Sequence, residues 1–346
     1  MYSDADIEAA VAAGALTPDA AASFRDYVAG SRATPLVDEE HFRLISGFND
    51  IFVTIASILL LVAVAWIAGA AVPAFAGAAV AATSWGLAEY FTRQRRMALP
   101  SILLLGTFVG GVFFTGLLWW KGVTTLFDTG DALPFALASA ASAAGAAVHW
   151  WRFKVPITVA AGAGGVVGLV LALLLAIVPG AWDWLAAIMF LTGLGVFAFA
   201  MWWDMSDPGR TTRRSDVAFW LHLLAAPLIV HPIFALLGLL DAGATMSEGV
   251  AAVLLYVALG VVALAVDRRA LMVSALVYVL YAISALFRQF GAVSLSFALT
   301  ALVIGSALLL LSAFWHSARG VIVRALPEPI QRRLPLLDRR VTPQPA

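Results

Sequence analysis

Two histidines, His222 and His231, and two prolines, Pro227 and Pro232, interrupt the apolar stretch "SDVAFWLHLLAAPLIVHPIF" at residues 215–234. An imidazole with an ordinary pKa of about 6.5 takes up and releases protons near neutral pH. A proline withholds its own amide and disturbs the turn before it, which frees the carbonyls of Leu223 and Leu228. The histidines stand nine positions apart, so on a straight helix they point to opposite sides about 14 Å apart and cannot share a metal ion. His231 leans back over Pro227 and Leu228, where its ring can satisfy a freed carbonyl, so Pro227, Pro232 and His231 read as a helix kink. His222 has no such structural role and is the first candidate for proton exchange.

Further polar groups share helix faces. At about 100° per residue, Ser274, Tyr278, Tyr281 and Arg288 fall within about 80° of one another. Asp50, Thr54 and Ser57 occupy one narrow face by the same arithmetic. His222 lies about 10 Å from the near end of its segment, and Ser57 and Tyr278 lie at similar depth. Matching depth leads us to expect that these three segments converge on a polar pathway. The alternative is that the hydroxyls bond back to their own helix or to a neighbour, with Arg288 reaching towards lipid headgroups.

The elements that must position these groups are membrane helices. The chain of 346 residues is 62% hydrophobic and 12% charged, with mean hydropathy +0.94, whereas a soluble domain is about half apolar and about a quarter charged. A bilayer core of about 30 Å takes about 20 apolar helical residues. The sequence reads as an all-α polytopic bundle of about ten spans, near 49–71, 73–91, 99–120, 131–151, 155–178, 182–203, 215–240, 247–266, 270–288 and 291–315. With the N-terminus inside, this count puts all of the 21 Lys and Arg residues except Lys121 and Arg288 in cytoplasmic segments, as retention of positive charge requires. Both termini are then cytoplasmic. Trp119, Trp120, Trp182 and Trp184 fall at outer ends and Trp150, Trp151, Trp202, Trp203, Trp220 and Trp315 at inner ends, the pattern of interfacial anchors.

Residues 1–48 read as cytoplasmic amphipathic helices. Ser3 and Thr17 cap two short helices, the second opening with Pro18, that form a small helical hairpin and offer a surface to a protein partner. The acidic start lacks the basic region and apolar core of a signal peptide. Residues 316–346 form a basic, Pro-rich tail suited to anionic headgroups. The "GALTPDAAASFRDYVAG" hairpin ahead of a multispan body, with the block "WWDMSDPGRTTRRSDVAFWLHLLAAPLIVHPIF", resembles uncharacterised polytopic membrane proteins of Gram-negative bacteria. That resemblance implies a bacterial inner-membrane protein and carries no catalytic residue with it.

Other candidates read as structure. Glu89 and Arg93 are an i,i+4 surface pair. Asp204, Asp207 and Asp216 stand beside three arginines in "DMSDPGRTTRRSD", where charge neutralisation and helix capping explain them better than a metal or phosphate site. Cysteine is absent, and His41, His149 and His316 form no ligand cluster. No metal or cofactor is expected, zero net charge points away from nucleic acid, and the usual hydrolase and nucleotide motifs are missing. The favoured function is a permease-like protein for a small solute or proton. The alternative is a non-catalytic envelope scaffold or sensor acting through its hairpin and tail.

Overall fold

The computed structural model describes residues 4–32, 48–121, 132–210, 212–237, 246–269, 272–276, 279–280, 283, 296–335 and 337. They are helical throughout and divide into two compact units, residues 1–43 and 44–346. Tyr278, Tyr281 and Arg288 lie outside the described residues.

In the first unit, α1 (Asp4–Ala12) and α2 (Pro18–Arg32) touch each other. Gly14, at φ +69°, supplies the left-handed turn between them, a conformation that costs glycine little. The Thr17 hydroxyl accepts from the Ala20 amide at 3.2 Å, the N-cap that its position in the sequence implies.

The second unit is a bundle of α3 (Phe48–Ala71), α4 (Pro73–Ala88), α5 (Ala98–Lys121), α6 (Leu133–Phe153), α7 (Ile157–Ile177), α8 (Leu185–Met205), α9 (Arg213–Leu236), α10 (Met246–Val266), α11 (Ser296–Ala313), α12 (Trp315–Ala325) and α13 (Glu328–Gln331). Among the described residues, five helices are long and apolar enough to cross a membrane: α3, α5, α7, α8 with the 3₁₀ turn before it, and α9. The pair α11 and α12, bent by 73° at Phe314, makes a sixth if counted as one span. The chain is therefore a multi-pass membrane protein. The ten apolar runs do not all become helices of spanning quality: α4 has 16 residues, and α6 is diluted by Ala, Ser and Gly.

Hydropathy and position go together in a way lipid explains. The most apolar span, α3, is 11% buried, whereas the least apolar, α9, is 56% buried. A helix facing lipid must be apolar all round; one enclosed by protein can carry polar groups. Accordingly α3 exposes Phe52, Ile55, Leu59, Val62, Trp66 and Ile67, while α9 buries Ala218, Leu221, His222, Ala225, Ala226 and Val230.

The pairs α4–α5, α6–α7 and α8–α9 pack as antiparallel hairpins through tight turns. Arg96, Lys154, Arg210 and Asp267, at near-even spacing along the chain, all have left-handed backbone with φ between 52° and 60°. Each follows one helix, or its π-helical extension, and turns the chain back. At Asp267 the Arg268 amide donates to the Ala263 carbonyl and the Asp267 amide to that of Leu264, a Schellman-type stop built on aspartate in place of glycine. A non-glycine residue in this conformation costs about 1–2 kcal/mol, and at Arg210 and Asp267 the buried ion pairs described next hold it.

Candidate functional site

The turn after α8, the turn after α10 and the bend before α12 meet around a cluster of buried charges. Asp204, one residue from the end of α8, is 2% exposed, and His222 on α9 is fully buried. Their Nε2 and Oδ2 atoms lie 2.9 Å apart. Arg268 holds the same carboxylate through both oxygens, at 2.5 Å from Nη2 to Oδ1 and 3.3 Å from Nε to Oδ2. The Arg268 Nη2 also donates to the carbonyl and hydroxyl of Ser215.

Asp267 is a second buried acceptor. Arg210 donates to its Oδ2 at 3.0 Å, the Trp315 indole to its Oδ1 at 2.8 Å, and Arg319 approaches Oδ1 at 3.6 Å. Arg210 also lies 3.9 Å from Asp204, so one guanidinium links the two carboxylates. Arg319 donates to the carbonyl of Pro335 at 2.6 Å, which ties the chain beyond α12 to the same cluster. Asp207, also buried, accepts from the amide and hydroxyl of Thr212, and Thr212 in turn caps α9. Arg210, Arg268 and Arg319 thus face Asp204 and Asp267. Pairing is required here, because an unpaired ion among apolar helices costs several kcal/mol.

With Asp204 ionised, His222 carries its hydrogen on Nε2 and donates it to the carboxylate, which makes Nδ1 the acceptor nitrogen. Nδ1 is buried and has no hydrogen-bond partner among the described residues. The ring packs edge-on against Phe197 at 5.1 Å. What the arrangement offers chemically is a basic nitrogen in an apolar setting, with the resulting positive charge stabilised at its other end by a carboxylate.

The other residues expected at the pathway divide. Asp50 and Ser57 are buried on α3, and the Thr54 hydroxyl donates back to the Asp50 carbonyl at 2.6 Å. The main contacts of α3 are with α4 and α5, whereas α9 packs on α8 and α7. Ser274 is half-buried. Pro227 and Pro232 lie inside the continuous helix α9, and His231 is on its exposed face. The Leu228 carbonyl freed by Pro232 abuts Gly193 of α8, where an added Cβ would fall 2.9 Å from that oxygen.

Three expectations are corrected. Glu89 does pair with Arg93, at 3.3 Å, but its closer partner is Arg152, whose Nε and Nη2 donate to the two carboxylate oxygens at 2.7 and 2.8 Å. That guanidinium holds the Glu89 carboxyl below its usual range, against a smaller opposing effect of burial. Trp315 is no interfacial anchor: it is 3% exposed and committed to Asp267. Residues 316–335 are not a free tail, since α12 buries Arg319 and Val323 and Arg319 donates to the Pro335 carbonyl.

No family model, curated protein or solved structure matches the chain.

Proposed function

We propose that the protein is a bacterial inner-membrane, permease-like protein that moves a small solute or a proton, with the Asp204–His222 pair as its proton-exchanging element. The observation that carries this reading is the buried His222 ring with one nitrogen on a carboxylate and the other unpartnered. Ionisable groups within a bundle are costly and mark pathways and relays in membrane proteins. In the same reading the chain makes ten spans with both termini cytoplasmic. The Arg-rich turns at 93–96, 152–154, 210–214 and 267–269 then share one side, and the contacts of Glu89 with Arg152 and of Asp204 with Arg268 join successive turns on it.

A second reading, an envelope scaffold or sensor, has its own support. The unit containing α1 and α2 is compact by itself and exposes Leu16 and Phe24, a surface for a protein partner. The native lack of cysteine separates the two readings. Single substitutions Ala226→Cys, Ser274→Cys, Tyr278→Cys and Tyr281→Cys, with Leu254→Cys and Val261→Cys as lipid-facing controls, are probed with a membrane-impermeant thiol reagent in cells and inverted vesicles. Thiols react as thiolates, which form only where water reaches. Labelling of the first set alone supports a pathway; silence throughout favours the scaffold.

A further inference from the structure

Beside the charge cluster, α10, residues 272–276, α11 and the start of α12 enclose a groove of about 150 Å³. Its walls are apolar: Met272, Val273, Leu276, Leu308 and Leu311. At one end stands Arg269, with its guanidinium carbon 4.9 Å from the centre of the Trp315 ring. Arg269 is exposed and has no carboxylate partner among the described residues, unlike its neighbour Arg268, which is buried on Asp204. The Tyr256 hydroxyl, in the same groove, is shut off from solvent and has no hydrogen-bond partner among the described residues.

A cation at the mouth and an apolar channel behind it are the complement of an anionic amphiphile. We propose that this groove seats one anionic phospholipid from the leaflet at that end of the bundle. The phosphate pairs with Arg269, and part of one acyl chain lies along Met272, Leu276, Leu308 and Leu311. Trp315 cannot swing away, because its indole nitrogen is fixed to Asp267, so it holds the guanidinium over the mouth by a cation–π contact. Basic pockets between membrane helices take lipid headgroups in this way. The site requires only that the chain spans a membrane; it does not depend on which side is cytoplasmic or on any transported solute.

The test is native mass spectrometry of the full chain in detergent, with phosphatidylglycerol and phosphatidylcholine of matched chains added in competition. Wild-type protein is expected to keep one phosphatidylglycerol per chain, preferred about fivefold or more over phosphatidylcholine, the worth of about one basic residue at an anionic surface. Arg269→Gln loses the preference, and Arg269→Lys keeps most of it. Val273→Trp, at a lipid-facing position that tolerates bulk, fills the groove and releases both lipids. Equal retention of the two lipids by wild type overturns the proposal, as does unchanged preference in Arg269→Gln or unchanged retention in Val273→Trp.

Discussion

Asp204 receives His222, Arg268 and, at longer range, Arg210, so removing Asp204 or its close partner Arg268 leaves an uncompensated charge among apolar helices. Breaking a buried pair in this way costs about 3–5 kcal/mol. Asp204→Asn and Arg268→Met should each destabilise the protein by that amount in detergent-unfolding titrations, and the double variant should lose clearly less than the two combined. Glu89 gives a prediction in pH. Arg152 lowers its folded pKa, so the pair's contribution is complete above the unfolded value of about 4.3 and is lost as pH falls through the lower folded value. Arg152→Gln should therefore be less stable than wild type near neutrality, with the gap closing at the acid end, as read from unfolding midpoints against pH. His222 was legible in the sequence because an imidazole in an apolar run is conspicuous. Its partner was not, because Asp204 stands on the preceding helix and reaches His222 only through the geometry of the α8–α9 turn. Asp267 and Arg319 were hidden for a related reason: each looks like ordinary charge flanking a span until the chain folds it inward.

At the scale of elements, close approach of helices decides which polar groups meet. Gly193 lets α8 lie against the Leu228 carbonyl that Pro232 leaves without an amide. A Cβ there would fall 2.8 Å from the Leu228 carbonyl carbon, so Gly193→Ala must push the backbones apart. It should cost about 1–3 kcal/mol and displace Asp204 from His222, read as lowered stability together with lost activity. The same logic holds α4 to α5, where Gly77 and Gly111 face each other's carbonyls. The bend before α12 is a second control point. Asp267→Asn weakens the hold on Arg210, Trp315 and Arg319 together and should speed tryptic cleavage at Arg319 and Arg324 by about tenfold, an effect of about 1.4 kcal/mol on local opening. Helix existence was plain from apolar runs and from the cap at Thr17, whereas the Thr212 cap of α9 was not read. Helix length was not plain, because the runs do not show where a π-helical segment at Glu89–Gln94 or a left-handed residue ends the helix.

For the whole molecule, the membrane was legible in composition, and the gradient of hydropathy from the exposed α3 to the enclosed α9 was latent in it. Which helices touch was not legible, because the depth match that grouped Ser57 with His222 ignores rotation and neighbour order. The bundle contains helix hairpins, and the turns at α8, α9, α10 and α12 meet around the Asp204–His222 pair. If that cluster relays protons, the direct measurement is proton flux into proteoliposomes that contain a pH-sensitive dye and are driven by a potassium diffusion potential. The account predicts that wild-type protein acidifies the lumen faster than empty liposomes. His222→Gln, whose amide nitrogen can take the place of Nε2 on Asp204 but cannot exchange a proton, should be slower by at least about tenfold. Wild-type flux equal to that of empty liposomes, or equal flux from His222→Gln, would contradict it.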